Sequence, residues 1–220
     1  MFKCRCSAIG KIMTEPQKKT DKLSKTCTGY LKEWHLFDKY GISTEITSKY
    51  LEKGIACESE SITLIGIIDD KIYHKNEEFF ANEFITGTPD IITDSEVIDV
   101  KTSWSIKTFP FYDSEYDKAY YWQLQGYMAL TGKKSARLVF CLINTPEHLI
   151  NDEIRKFCWN NNIIDINHEL EEEIRASFTY DNIPLQSRIK IFEINRNDEA
   201  IESIYERVKE CREFINQFNF

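Results

Sequence analysis

Within GTPDIITDSEVIDVKTS, residues 87–103, two aspartates and a lysine fall at a spacing suited to phosphoryl chemistry. Asp90 follows a Gly-Thr-Pro turn at the end of one predicted strand, and Asp99-Val100-Lys101 lies inside the next. Alternate side chains of a strand share a face, so Asp99 and Lys101 project together. A tight hairpin through Thr93-Asp94-Ser95 brings the Asp90 strand end beside them. Two carboxylates and an ammonium then converge. Carboxylate oxygens are the ligands Mg²⁺ prefers, with waters completing its octahedron and a phosphate oxygen entering the shell. Coordination polarises the phosphoryl group and lowers the pKa of bound water, while Lys101 positions or helps deprotonate that water and offsets growing negative charge. The plainer reading is an exposed strand whose Asp and Lys form a weak surface ion pair. D-x-K by itself does not separate the two.

The flanking elements decide whether these groups can meet. Ile46, Tyr50, Leu51, Ile55, Cys57, Ile62 and Ile65 have helical spacing, predicting one long helix over about 44–66, capped by Ser43 or Thr44. Three strands are predicted next, at 71–75, 79–87 and 96–102. A helix over 114–131 is apolar around much of its circumference and should pack on a sheet. ARLVFCLIN, 136–144, reads as a buried central strand. Helices at 147–160 and 166–178, a strand at 189–195 and an amphipathic helix at 198–218 complete the chain, and 15–26 reads as a mobile loop. The order argues for a single α/β domain, a mixed central sheet flanked by helices. Its divisions are 1–42, a basic arm; 43–145, the core that holds the site; and 146–220, helices with one strand.

The 220 residues are 42% hydrophobic and 29% charged, ordinary for a globular protein with a full core. No apolar run approaches the ~18 residues of a membrane span, and MFKCRCSAIGKIM lacks a signal-peptide core, so a cytoplasmic protein is expected. The seven cysteines are odd in number and scattered among apolar neighbours, which predicts reduced core thiols. The Cys4-x-Cys6 pair is too short for a zinc hairpin. Net charge is −8, yet residues 1–34 hold eight Lys/Arg against three acids, a local +5 on a body of −13. A basic arm on an acidic body fits a protein that grips phosphates in one place, or else a merely solvated loop.

The pattern G-x-P-D followed by (D/E)-x-K resembles the PD-(D/E)xK nuclease superfamily, a restriction-endonuclease-like core. Three further elements resemble its lambda-type, YqaJ-like exonuclease branch, found in viral recombination. EKGIACESE, 52–60, is similar to a G-x-x-x-E element on the first core helix; YYWQLQGYMALTG, 120–132, is similar to a Q-x-x-x-Y element; RCSAIGKIM, 5–13, is similar to an Arg/Ser-containing opening. Together these cover 5–132. The resemblance implies a metal held by Glu58, Asp90, Asp99 and the Val100 backbone carbonyl, with Lys101 and Gln123 completing the catalytic set. It implies DNA phosphate contacts from Arg5, Ser7, Lys11 and Tyr127. Ser7 is equally a plain helix cap. Glu60 rivals Glu58, but two helical steps separate them by ~200°, and the G-x-x-x-E spacing selects Glu58. Gln125 rivals Gln123, and the spacing to Tyr127 selects Gln123. Trp34, Trp104 and Phe109 could stack on bases, although core packing accounts for each of them.

The expectation is therefore a metal-dependent exonuclease acting 5′ to 3′ on double-stranded DNA ends in phage-type recombination. Mg²⁺ is the expected cofactor, with Mn²⁺ also accepted by an all-oxygen site, and no iron–sulfur cluster. Partners implied are a single-strand annealing protein and further copies of the chain in a trimer, in a bacterial host cell with a phage or prophage gene. A RecB-type repair nuclease, an endonuclease with the same core, or an inactive DNA-binding module remain the alternatives.

Overall fold

Residues Glu96–Thr102, EVIDVKT, form the strand on which the site hangs. The computed structural model describes residues 1–42 and 48–218. In chain order the strands are β1 (Cys4–Arg5), β2 (Phe80–Ala81), β3 (Ile85–Gly87), β4 (Ile91–Ile92), β5 (Glu96–Thr102), β6 (Ser135–Cys141) and β7 (Ile189–Asn195). The helices are α1 (Ile9–Ile12), α2 (Lys25–Tyr40), α3 (Lys49–Ala56), α4 (Glu58–Asp69), α5 (Lys118–Thr131), α6 (Glu147–Asn160), α7 (His168–Ala176) and α8 (Asp198–Ile215).

The main sheet runs β4-β5-β6-β7, with β5 and β6 parallel and the outer pairs antiparallel. Strand alternation splits its side chains between two helical layers. Val97, Leu138 and Phe192 pack with Leu124 and Met128 of α5 and Ile204 and Val208 of α8. Ile98, Val139 and Cys141 pack with Ile62 and Ile65 of α4. Asp99 and Lys101 share the phase of Val97, so they face α5. The fold is thus the expected mixed sheet flanked by helices. A small second sheet, β1-β3-β2, places β1 parallel to β3 with Arg5 opposite Thr86.

Several elements differ from the sequence reading. The proposed caps Ser43 and Thr44, and Ile46, lie outside the described residues; the helix that is described opens at Ser48, whose side chain accepts from Leu51 N. It breaks at Cys57 (φ −101°, ψ 5°), so Glu58 begins a new helix. Residues 71–75 form no strand: α4 ends on Asp70 in the left-handed region, Lys71 N closes back on Gly66 O, and the chain passes β4 with Asn76 N donating to Asp90 O. The stretch 79–87 is not one strand but two, because the Asn82 side chain accepts from Phe84 N and Ile85 N and folds the chain over. The strand at 136–144 ends at Cys141, and the helix expected from 114 starts at Lys118, capped by Asp117.

Residues 1–31 are not an appended arm either. Phe2, Cys4, Cys6, Ile9, Ile12, Cys27 and Leu31 enter the same core as α5 and α8. Arg212 of α8 donates to Phe2 O (3.0 Å) and Glu83 O (2.6 Å), so the two ends of the chain pack together. β7 likewise completes the sheet that carries the site. All seven thiols are free and six are buried.

Candidate active site

The β4–β5 hairpin turns through Thr93-Asp94-Ser95, with Thr93 N donating to Glu96 O (2.9 Å). Its register, Ile91 opposite Ile98 and Ile92 opposite Val97, carries Asp90 to a place across from Asp99. There Asp90 Oδ2 accepts from Val100 N at 2.6 Å, a side chain standing where a ladder partner would be. A strand residue's N–H and C=O point to the same edge, so the Val100 carbonyl faces this place too. Burial and the adjacent Asp99 push the Asp90 carboxyl up to about 7, against the Val100 N–H and Lys101.

Asp99 is 1% exposed. Its Oδ1 accepts from Gln123 Nε2 (2.9 Å), and its Oδ2 lies 2.8 Å from Lys101 Nζ. That contact is a close ion pair at a buried carboxylate. Burial opposes the charge on Lys101, yet Asp99 and Asp90 outweigh it and raise its pKa. Gln123 also donates to Tyr127 Oη (3.1 Å), one helical turn along α5. Tyr127 is buried, and burial with the Asp99 charge raises its pKa. Expected to meet DNA phosphate, the phenol instead stands behind Gln123 and does not line the cavity that Gln123 borders. Gln125 turns elsewhere, donating to Asn195 O and accepting from Asn197 N.

Glu58, Asp90, Asp99, Val100, Lys101 and Gln123 line one cavity of about 450 Å³. Glu60 is exposed and does not line it. Two contacts hold the helix pair against the end of β5: Ser61 Oγ lies 2.9 Å from Thr102 Oγ1, and Lys53 Nζ donates to Trp104 O (2.9 Å). Glu58 Oε2 meets Lys75 Nζ at 2.6 Å. Among the described residues no three His, Cys, Asp or Glu side chains are already gathered as a metal cluster. The donor set still fits a hard divalent cation: it is all oxygen, and the repulsion between adjacent Asp90 and Asp99 that raises the Asp90 pKa is what a cation there would relieve.

Arg5, Ser7 and Lys11 are exposed and do not line the cavity. They alternate with buried Cys4, Cys6 and Ile12, and Ser7 caps no helix. Their turn packs against α5 and β3, where Cys6 Sγ would lie 3.1 Å from a Cβ on Gly87. Trp104 and Phe109 are buried, and Trp34 packs against the core. Lys53 and Lys75 went unnoticed in the sequence. Neither belongs to a local pattern, and only the fold brings them beside Trp104 and Glu58.

A mixed sheet whose hairpin presents two aspartates and a D-x-K lysine to one cavity, with a glutamine on the next helix behind them, defines a PD-(D/E)xK nuclease. No family model and no curated protein matches the sequence. Among solved structures, the chain is similar to a phage-related exonuclease from Haemophilus somnus 129PT, with 33% identity, TM-score 0.83, and coverage of 98% of this chain and 94% of that one. The chain belongs to that phage-related exonuclease family, the YqaJ-like branch of the PD-(D/E)xK nucleases. It shares its fold with LHK-Exo, an alkaline exonuclease from Laribacter hongkongensis also solved with dAMP, at TM-score 0.64, 17% identity and coverage of 97% and 88%. Among the described residues, no helix is long and apolar enough to cross a membrane.

Proposed function

We propose that the chain is a Mg²⁺-dependent exonuclease that hydrolyses double-stranded DNA from its ends, 5′ to 3′, in phage-type recombination. The observation that carries this reading is the convergence of Asp90, Asp99, Lys101 and Gln123 on one cavity. Asp90, Asp99, Glu58 and the Val100 carbonyl would hold the ion, and Mn²⁺ suits the same oxygens. A bound divalent ion there supplies a polarised phosphoryl group and an acidified water. Lys101 would orient the attacking water and balance the charge gathering on the phosphate. Gln123 fixes Asp99 through Oδ1, and Tyr127 fixes Gln123. Arg5, Ser7 and Lys11 form the exposed basic face that meets the phosphate backbone, and the acidic remainder disfavours binding elsewhere. We further propose that the protein works in the cytoplasm of a bacterial host, as a trimer, with a single-strand annealing protein and no iron–sulfur cluster.

The test is a linear duplex labelled at each end in turn, alongside a covalently closed circle, with and without Mg²⁺. Expected is metal-dependent loss of the 5′ label first, with the circle left intact. A cut circle would make the protein an endonuclease, and no cleavage of either would leave the DNA-binding reading.

A further inference from the structure

Every carboxylate facing the cavity already has a partner from the chain. Asp90 takes the Val100 N–H, Asp99 takes Lys101 and Gln123, and Glu58 takes Lys75 at 2.6 Å. The third pairing is unlike the other two. Lys101 stands on the same strand as Asp99, whereas Lys75 comes from the strandless segment after α4, and its side chain is 52% exposed. That segment is nonetheless anchored to the site. Asn76 N donates to Asp90 O at 2.7 Å, and Asn76 Nδ2 donates to Pro89 O at 2.9 Å. Lys75 is thereby held one residue from a backbone contact with Asp90, within an arm's length of Glu58.

One carboxylate cannot serve two cations fully. We propose that Lys75 is a built-in counter-cation of Glu58, occupying that carboxylate until a divalent metal competes it away, and so sets how much metal the site needs. This rests on the reading of Glu58 as a metal ligand. The pairing neutralises Glu58, whose charge would otherwise add to the repulsion around Asp90 and Asp99. Lys75 acts through Glu58 and touches no reacting atom, so it is a positioning residue.

The experiment is calorimetric titration of the full chain with Mn²⁺, comparing the parent, Lys75→Met, Lys75→Arg, Glu58→Gln and the Glu58→Gln/Lys75→Met double variant. Lys75→Met should bind Mn²⁺ about threefold to tenfold more tightly, the effect of removing a half-exposed ion pair and its charge. Lys75→Arg, which keeps the pair, should stay near the parent. In the Glu58→Gln background, removing Lys75 should change little, because the competition has gone. Unchanged or weaker binding by Lys75→Met overturns the inference while leaving the metal site standing. Equal tightening in both backgrounds also overturns it, since it would reveal only a diffuse field. A parent that binds no Mn²⁺ overturns both readings. Melting temperatures without metal confirm that each variant is folded.

Discussion

Lys53 is the least expected residue in the molecule, and its pH behaviour can be worked out from its surroundings. It lies on α3 with 0% exposure, its Nζ donating to Trp104 O at 2.9 Å between the rings of Trp104 (5.9 Å) and Tyr180 (5.5 Å). Burial pushes its pKa down from 10.5 to about 8. Below pH 8 the amine is protonated in both folded and unfolded chains, and it contributes no slope. Between pH 8 and 10.5 the unfolded chain holds a proton that the folded one has released, so stability rises with pH. Above 10.5 the curve is flat again. The rise is about 3 kcal/mol, from 1.36 kcal/mol for each pKa unit. Lys53→Met keeps an unbranched chain, removes the buried charge, and leaves Trp104 O without its donor at about 1–2 kcal/mol. The variant should therefore be about 1–2 kcal/mol more stable than the parent at pH 7. By pH 10.5 it should be less stable by a similar amount, since the parent's neutral amine still donates. Urea unfolding followed by tryptophan fluorescence at pH 7, 8, 9, 10 and 10.5 measures the difference, and groups common to both proteins cancel. A parent–variant difference that stays constant across this range would falsify the burial of Lys53 as a charged group.

Lys101→Ala should lower metal-dependent cleavage by at least about 10²-fold while DNA affinity, read by gel shift, changes little; Asp90→Ala and Asp99→Ala should match it, and a variant cutting at the parent rate would remove that residue from the site. Tyr127→Phe should reduce kcat about two- to tenfold, the worth of one buried hydrogen bond, with KM for DNA unchanged. A large rise in KM would instead return Tyr127 to the phosphates. A Cβ on Gly87 would lie 2.7 Å from Tyr127 Cε1 and 3.1 Å from Cys6 Sγ. Gly87→Ala should therefore cost about 1–3 kcal/mol in thermal unfolding through overpacking and, by shifting Tyr127 and hence Gln123, weaken cleavage as well.

Asp90, Asp99 and Lys101 were legible in the sequence because their placement depends on short-range rules. A period of two puts Asp99 and Lys101 on one face, and a tight turn returns Asp90 to them. Most helices and the longer strands were legible for the same local reason. Short strands were not: β1 exists only because β3, far along the chain, receives it, and β2 only because the Asn82 side chain folds the chain back onto β3. The strand expected at 71–75 does not form because the chain leaves α4 through left-handed Asp70 and reaches the β4 edge only at Asn76, whose N–H donates to Asp90 O. The N-terminal residues looked like a detachable basic arm because charge is visible in a sequence, whereas the burial of Cys4, Cys6 and Ile9 between them depends on α5 and α8.

The sequence by itself determined that two carboxylates and a lysine would gather at a hairpin, and that the residues around them would form a mixed α/β layer structure. Only the tertiary structure decided what surrounds them: Glu58 paired to Lys75, Gln123 held between Asp99 and Tyr127, and Gly87 kept bare by Tyr127 and Cys6. Local propensity acts over a turn or a strand pair. Apart from the one-turn pair Gln123–Tyr127, those contacts join residues 17 to 81 positions apart, and only the packing of the helices on the sheet brings them together.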